Sequence, residues 1–482
     1  MKLSALTGTP HDIDPDITGL TADSRAVKPG FLFAALRGVA SDGADFIPQA
    51  IKAGAVAILE QGDKTVAELP SGVTRIIDSE PRRKMAQFCA RFYPERPNFI
   101  AGITGTNGKT STAQIASQIW ALLGVNGGSI GTLGAEVLGR TGQALHLEIG
   151  HTTPDPVTLH NALQQTKRAG CAHMAMEVSS HGLAQFRCDG IKFNACAFTN
   201  ITQDHLDYHK DFSDYFSAKK RLFSDLLDQD ATAIINSDGA GSDALCTELI
   251  GNNIKTITTG FKGKNIKLLE VTPTTNGLRV VVRIDGYDHV TIVPLVGAFQ
   301  AENVMLAYAI IMQSGFSASQ IVRVLPDVRG VPGRMMLAGE TNGGAIYVDY
   351  AHTSDAISMA LKAVRPHVAG RLIAIIGAGG DRDRSKRSFM GRAAMENADI
   401  VILADDNPRS ENPDLIRKQI MEGVPSAINI GDRAKAIEAG IEMLGQGDVL
   451  MVLGKGHETG QTIGDQTYPF EDAKIVAELV SG

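Results

Sequence analysis

A chain of 482 residues is too long for one hydrophobic core, and at roughly 150 residues per domain it divides into about three. Its 43% hydrophobic and 21% charged residues are those of an ordinary globular protein. The net charge of −7 excludes a dominant nucleic-acid-binding surface, though not a local cluster that takes small anions.

The five cysteines, Cys89, Cys171, Cys188, Cys196 and Cys246, form no CxxC pair. Cys171 and Cys196 lie in apolar stretches and read as small buried hydrophobes, as in a reducing compartment. The N-terminus has no apolar signal core, and no run of about 18 apolar residues occurs, so the expectation is a soluble, cytoplasmic protein without membrane insertion.

Residues 1–96 mix short apolar runs (30–36, 55–59) with turns, and 91–97, carrying Pro94 and Pro97, reads as a linker. The apolar run 99–104 suits a buried strand, and 112–123 has helical periodicity ending at Gly124. Strands are expected at 172–178, 195–199 and 232–235, an antiparallel patch at the Val-rich 278–293, and a helix at 301–312. A second linker, PDVRGVPGR, covers 326–334. Beyond it come strand 345–348, helix 355–364, strand 372–376, a helix near 390–396, and strands 400–403 and 449–453.

This alternation predicts an α/β chain with parallel sheets covered on both faces. The expected domains are 1–96, a central parallel-sheet P-loop domain at 97–330, and a Rossmann-like C-terminal domain at 331–482. The last lacks a complete G-x-G-x-x-G opening a helix, which argues against a dehydrogenase.

The stretch Gly105-Thr106-Asn107-Gly108-Lys109-Thr110-Ser111 falls between the expected strand and helix. There, consecutive backbone N–H groups and a helix N-terminus can take phosphate oxygens. Lys109 can reach the β- and γ-phosphates of ATP, and the Thr110 hydroxyl can ligate Mg²⁺. Ile103 stands where a G-x-x-x-x-G-K-[ST] loop has its first glycine, so a generic motif search misses it.

The form TGTNGKTST resembles the phosphate loop of the Mur ligases, which assemble the peptidoglycan stem peptide, and of the related folylpolyglutamate synthetases. MEVSSHGL (176–183), TNITQDHLDYH (199–209), DYAHTSDAI (349–357), GAGGDRDRSKR (377–387), DDNPRSENP (405–413) and GKGHE (454–458) follow in order and narrow the match to the diaminopimelate-adding branch of that family. The resemblance implies an N-terminal UDP-binding domain, a central ATPase domain and a C-terminal domain for the incoming amino acid.

By that resemblance Thr110 and Glu177 hold one Mg²⁺, and Glu177 and His205 lie near a second; so few ligands suffice because Mg²⁺ keeps several waters. Lys219, read alone, is a solvated helix face; the family carries a carbamylated lysine at the matching position, which would add an anion beside the metals. Lys109, Glu177, His205 and Lys219 are thus the expected catalytic group. Asn303, Arg334 and Asp349 are placed near the nucleotide, with Gln300 where the family often has Asn. The UDP-sugar peptide falls to Ser24, Thr152, Thr153, Ser179, Gln185 and Arg187, with His151 where Asn is frequent. The segment Val39-Ala40-Ser41 aligns with a uracil-side loop but departs from it in identity.

The incoming amino acid is assigned by resemblance to Arg382, Asp406, Asn407, Pro408, Arg409, Gly454 and Glu458. Arg409 can clamp a carboxylate through both nitrogens of its fork, and relatives that add lysine, which has no distal carboxylate, typically lack this Arg. Glu458 is available to the distal ammonium. The expected substrates are therefore UDP-MurNAc-L-Ala-D-Glu, meso-diaminopimelate and ATP, joined through an acyl phosphate by a monomer whose two linkers act as hinges. Lysine-adding or folate-glutamylating ligases are the near alternatives, and a nucleotide-binding switch the distant one.

Overall fold

The computed structural model describes residues 1–38, 41–62, 69–202, 204, 208–274 and 277–481. The chain forms two compact units, 1–265 with 306–321, and 266–305 with 322–482.

In the first unit the opening residues build a four-stranded parallel sheet in the order Gly19–Thr21, Phe31–Ala34, Ala57–Glu60, Thr74–Ile77. Leu20, Leu32, Leu59, Met85 and Phe88 are among the side chains that close its core against the helix Pro81–Phe92. The phosphate-loop strand, Phe99–Thr104, is buried at every position and lies between Phe193–Phe198 and His173–Glu177, parallel to both. Leu227–Asn236 and Thr256–Gly260 extend the sheet on one side; Gly127–Gly131, Gly134–Gly139 and Gly142–Leu147 extend it on the other. The last three were not expected, because strands that begin on glycine read as turns in the sequence.

Helix Lys109–Leu122 starts three residues before the apolar periodicity does. Gly108, at φ +88°, turns the chain into the helix, so the polar Lys109-Thr110-Ser111 becomes its first turn. Side-chain caps fix other helix starts: Asp155 accepts from Val157 and Thr158 N–H, and Asp211 from Asp214 N–H.

The second unit begins with an antiparallel meander, Ile266–Thr274, Gly277–Ile284 and Tyr287–Val293; its first strand, broken by Lys267, Glu270 and Pro273, lay outside the expected patch. A six-stranded sheet follows in the order Met336–Thr341, Gly344–Asp349, Val449–Leu453, Leu372–Ile376, Ile400–Ala404, Ile428–Gly431, with only the first pairing antiparallel. Its strands feed two cores by simple alternation. Leu372, Ala374 and Ile376 pack with Ile357, Met390 and Ile420 on one face, while Ile373 and Ile375 pack with Ile437, Ile441 and Val476 on the other.

A wholly buried pair pins the end of Val449–Leu453: Arg433 donates two 2.7 Å bonds to Asp472 and a 3.0 Å bond to the Leu453 carbonyl. Breaking such a pair by removing one partner leaves an uncompensated charge, costing about 3–5 kcal/mol. No helix among the described residues is long and apolar enough to cross a membrane.

Candidate active site

Gly105, at φ +148°, carries the loop out of its strand; a Cβ there would stand 1.8 Å from Thr199 Oγ1. Thr199 Oγ1 donates to the Asn107 carbonyl at 2.6 Å, and Asn200 accepts from the N–H groups of both Thr106 (2.9 Å, backbone carbonyl) and Asn107 (3.1 Å, side-chain oxygen). The loop is thus held in shape from the chain after Phe193–Phe198. Lys109 Nζ donates to the carbonyls of Gly105 and Thr106, both at 2.8 Å.

Glu177 ends its strand beside this loop and is only 2% exposed. Its Oε2 accepts from Thr110 Oγ1 at 2.9 Å and its Oε1 from Thr132 N–H at 2.8 Å. A Cβ on Gly131 would lie 2.0 Å from that Oε1, so glycine is what admits the carboxylate. A carboxylate and a hydroxyl side by side at the start of a phosphate-loop helix form the oxygen-donor set that suits Mg²⁺. His205, expected near a second ion, lies outside the described residues. Among those described, no cluster of three or more His, Cys, Asp or Glu side chains could hold a metal.

Lys219 corrects its isolated reading as a solvated face: it is 2% exposed. Its Nζ donates to Gly105 O at 2.8 Å and lies 4.5 Å from the centre of the Tyr215 ring. Burial, helped by the nearby charge of Lys109, pushes its pKa well below the ordinary lysine value. Tyr215 hydroxyl meets Thr106 Oγ1 at 3.0 Å, so both side chains bear on the loop.

Of the residues assigned to the UDP-sugar peptide, Gln185 and Arg187 line a cavity of about 450 Å³ with Asp23, Arg82, Asp155 and Thr158. Arg187 donates to Thr153 O at 2.6 Å and to Gln185 Oε1 at 2.8 Å. Thr153 is buried; its hydroxyl donates to Glu177 O at 3.0 Å and accepts from Ser179 N–H at 2.9 Å, a tie within the protein. Ser179 caps the short helix Ser180–Ala184, accepting from Gly182 N–H at 3.0 Å. Thr152 meets Thr132 at 3.0 Å. Ser24 bonds Gln49 at 3.3 Å at the protein surface. Val39 and Ala40 lie outside the described residues.

In the second unit the loop 406–409 leaves the C-terminal end of Ile400–Ala404, where ligands gather in parallel sheets. Asn407 Nδ2 donates to Glu458 Oε2 at 2.9 Å, and Asn407 Oδ1 accepts from Thr462 N–H at 2.9 Å. Arg409 sits at φ +51°, an αL conformation that costs a non-glycine residue energy, and donates to Gly380 O at 2.8 Å. Gly454, at φ +116°, leaves room for Asp406, whose Oδ2 would be 2.9 Å from a Cβ. Arg382 donates to the Asp381 carbonyl at 3.3 Å. Asp349 accepts from the N–H groups of Met335 (2.7 Å) and Ala351 (2.8 Å), and burial raises its pKa. Arg334 stacks over Tyr350 at 4.6 Å. Asn303 is no surface amide: it is buried and donates to Gln300 Oε1 at 2.9 Å.

Three family models match along the chain: the Mur ligase family catalytic domain at 16–94, the Mur ligase middle domain at 103–311, and the Mur ligase glutamate ligase domain at 333–456. A protein of Bradyrhizobium diazoefficiens named UDP-N-acetylmuramoyl-L-alanyl-D-glutamate--2,6-diaminopimelate ligase is 43% identical over 492 aligned positions, covering 100% of this chain and 99% of that one. The chain belongs to the Mur ligase family. A solved structure of a protein with the same name superposes on this Mur ligase with a TM-score of 0.73 at 29% identity, covering 100% of this chain and 99% of the other. The MurF ligase of Thermotoga maritima in complex with ADP shares the fold at a TM-score of 0.62 and 16% identity, over 99% and 97% of the two chains.

Within this Mur ligase, sequence reasoning missed Thr199, Asn200 and Lys455. The first two lie in the quoted TNITQDHLDYH segment, where only the histidine drew notice. Lys455 stands inside GKGHE between two residues that were singled out.

Proposed function

We propose that this Mur ligase couples ATP cleavage to amide formation between the D-Glu γ-carboxylate of UDP-MurNAc-L-Ala-D-Glu and an amine of meso-2,6-diaminopimelate, in peptidoglycan precursor synthesis. The observation that carries the reading is the Thr110–Glu177 contact at the mouth of the phosphate loop. A carboxylate does not acylate an amine at neutral pH until it is activated. In the first step a γ-carboxylate oxygen bonds to the γ-phosphorus of ATP, the bond to the β-phosphate oxygen breaks, and ADP leaves. The amine then attacks the acyl phosphate carbon, loses a proton, and inorganic phosphate departs.

In this scheme the loop 105–111 cradles the phosphates and Lys109 turns from its two loop carbonyls to the charge that develops during transfer. Thr110 and Glu177 would hold Mg²⁺, which supplies neutralisation of phosphate charge. Lys219, whose pKa burial lowers well below the ordinary lysine value, would serve as a nucleophile for CO₂: its unprotonated amine forms the N–C bond, a proton leaves, and the carbamate keeps one N–H for the Gly105 carbonyl. Residues 1–96 would take the uridine end, 97–330 ATP, and 331–482 the amino acid, with Arg187 and Gln185 on the sugar peptide and Arg409 on a carboxylate of diaminopimelate. Asn303, Arg334 and Asp349 would serve the nucleotide. The enzyme would act as a cytoplasmic monomer that binds no nucleic acid.

The test is phosphate release by purified protein with Mg-ATP and UDP-MurNAc-L-Ala-D-Glu. Release that requires meso-diaminopimelate is expected; equal rates with L-lysine would remove the assigned specificity.

A further inference from the structure

Lys455 is wholly buried, an expensive place for an ammonium unless its surroundings carry charge and acceptors. It has both. Its Nζ donates to Asn407 Oδ1 at 3.2 Å and to Glu458 Oε2 at 3.1 Å. Asn407 closes the triangle, donating through Nδ2 to that same Glu458 oxygen at 2.9 Å. The orientation of the Asn407 amide is fixed twice over, since Thr462 N–H also points at its Oδ1, at 2.9 Å. Both bonds to Glu458 therefore fall on one carboxylate oxygen, while the side chain as a whole keeps 34% of its exposure. The neighbouring His457 does not compete as a cation, because burial lowers its pKa to about 4.

We infer that Lys455 is a positioning residue of the amino-acid site: it locks Asn407 and Glu458 Oε2 together, so that the other Glu458 oxygen receives the distal ammonium of the incoming diamino acid. This rests on the ligase reading above. The physical logic is that of a charged side chain held on one oxygen by a buried cation, which restricts its rotamers before the ligand arrives. A site built only from Glu458 would have to order that side chain at each binding event.

The experiment compares wild type, Lys455→Met and Lys455→Gln in the phosphate-release assay, with thermal unfolding as a check on folding. Gln keeps a donor for Asn407 Oδ1 but no charge. Losing a charged hydrogen-bond donor at this position should raise the apparent KM for meso-diaminopimelate about tenfold or more in Lys455→Met, and less in Lys455→Gln. The KM for ATP should stay within about twofold, because the Lys455 ammonium bonds to Asn407 and Glu458 of the amino-acid site and not to Arg334 or Asp349. In a Glu458→Gln background the Met substitution should add little, since its target charge is gone. An unchanged diaminopimelate KM, or KM values for both substrates rising together, would overturn the inference while leaving a working wild-type ligase. Should Lys455→Met fail to fold, Lys455→Gln decides by the same readout. Wild-type protein without diaminopimelate-dependent turnover would overturn the ligase reading itself.

Discussion

Thr110 Oγ1 donates to Glu177 Oε2 across 2.9 Å, joining the first turn of the phosphate-loop helix to the end of a neighbouring strand 67 residues away in sequence. Two oxygen donors are thereby set side by side before any ion or nucleotide arrives. Glu177→Gln preserves the shape and a bond to Thr132 N–H but removes the charge. Turnover should fall by roughly 10²–10³, and the Mg²⁺ concentration for half-maximal rate should rise. A Mg²⁺ titration of phosphate release checks both; an unchanged Mg²⁺ requirement would show that Glu177 is no ligand.

Gly105→Ala places a methyl group against Thr199, within 1.8 Å in the undisturbed backbone. The loop has to shift, and misplacement of about 1 Å near reacting groups costs on the order of 10²-fold in rate. ATP affinity measured by calorimetry should drop, whereas diaminopimelate affinity, proposed to rest on Arg409 and Glu458 in the other unit, should not.

Arg409 separates binding from stability. Arg409→Ala and Arg409→Gly both remove the guanidinium and its bond to Gly380, so each should raise the KM for diaminopimelate by about tenfold or more. Only glycine accepts φ +51° without strain, so Arg409→Gly should be the more stable by about 1 kcal/mol. Denaturant midpoints compare the two variants, and equal midpoints would remove the strain argument.

The alternation of strands and helices, the phosphate loop and the strand-end position of Glu177 were legible because they depend on residues close together in sequence. The burial of Lys219 and of Lys455 was not. A lysine in a helix or a glycine-flanked loop is ordinarily solvated, and their burial depends on Gly105 O, 114 residues away, and on Asn407, 48 residues away. Thr153 and Ser179 also make bonds that the sequence does not reveal: Thr153 donates to Glu177 O and Ser179 accepts from Gly182 N–H, tying the Glu177 strand end to the following helix. The three glycine-started strands escaped notice because pairing with neighbours, rather than side-chain periodicity, makes them strands.

Glu411 gives a pH dependence. Its hydrogen bonds to Arg387, with help from Asp381 N–H, lower its pKa from 4.5 to about 2. A depressed carboxylate stabilises the fold above its unfolded value, and that contribution is lost as pH falls from about 4.5 through about 2. With the side chain only 12% exposed, Glu411→Gln should cost about 1–3 kcal/mol at pH 7. The gap between variant and wild type should close toward pH 2; a gap constant with pH would mean that charge is not the cause.

In the proposed reaction ATP activates the substrate carboxylate at the loop of Lys109, Thr110 and Glu177. That step is tested most directly by labelling the D-Glu γ-carboxylate of UDP-MurNAc-L-Ala-D-Glu with heavy oxygen and analysing the phosphate released on reaction with diaminopimelate. An acyl phosphate requires one labelled oxygen to leave with each phosphate. Phosphate free of label would contradict the account.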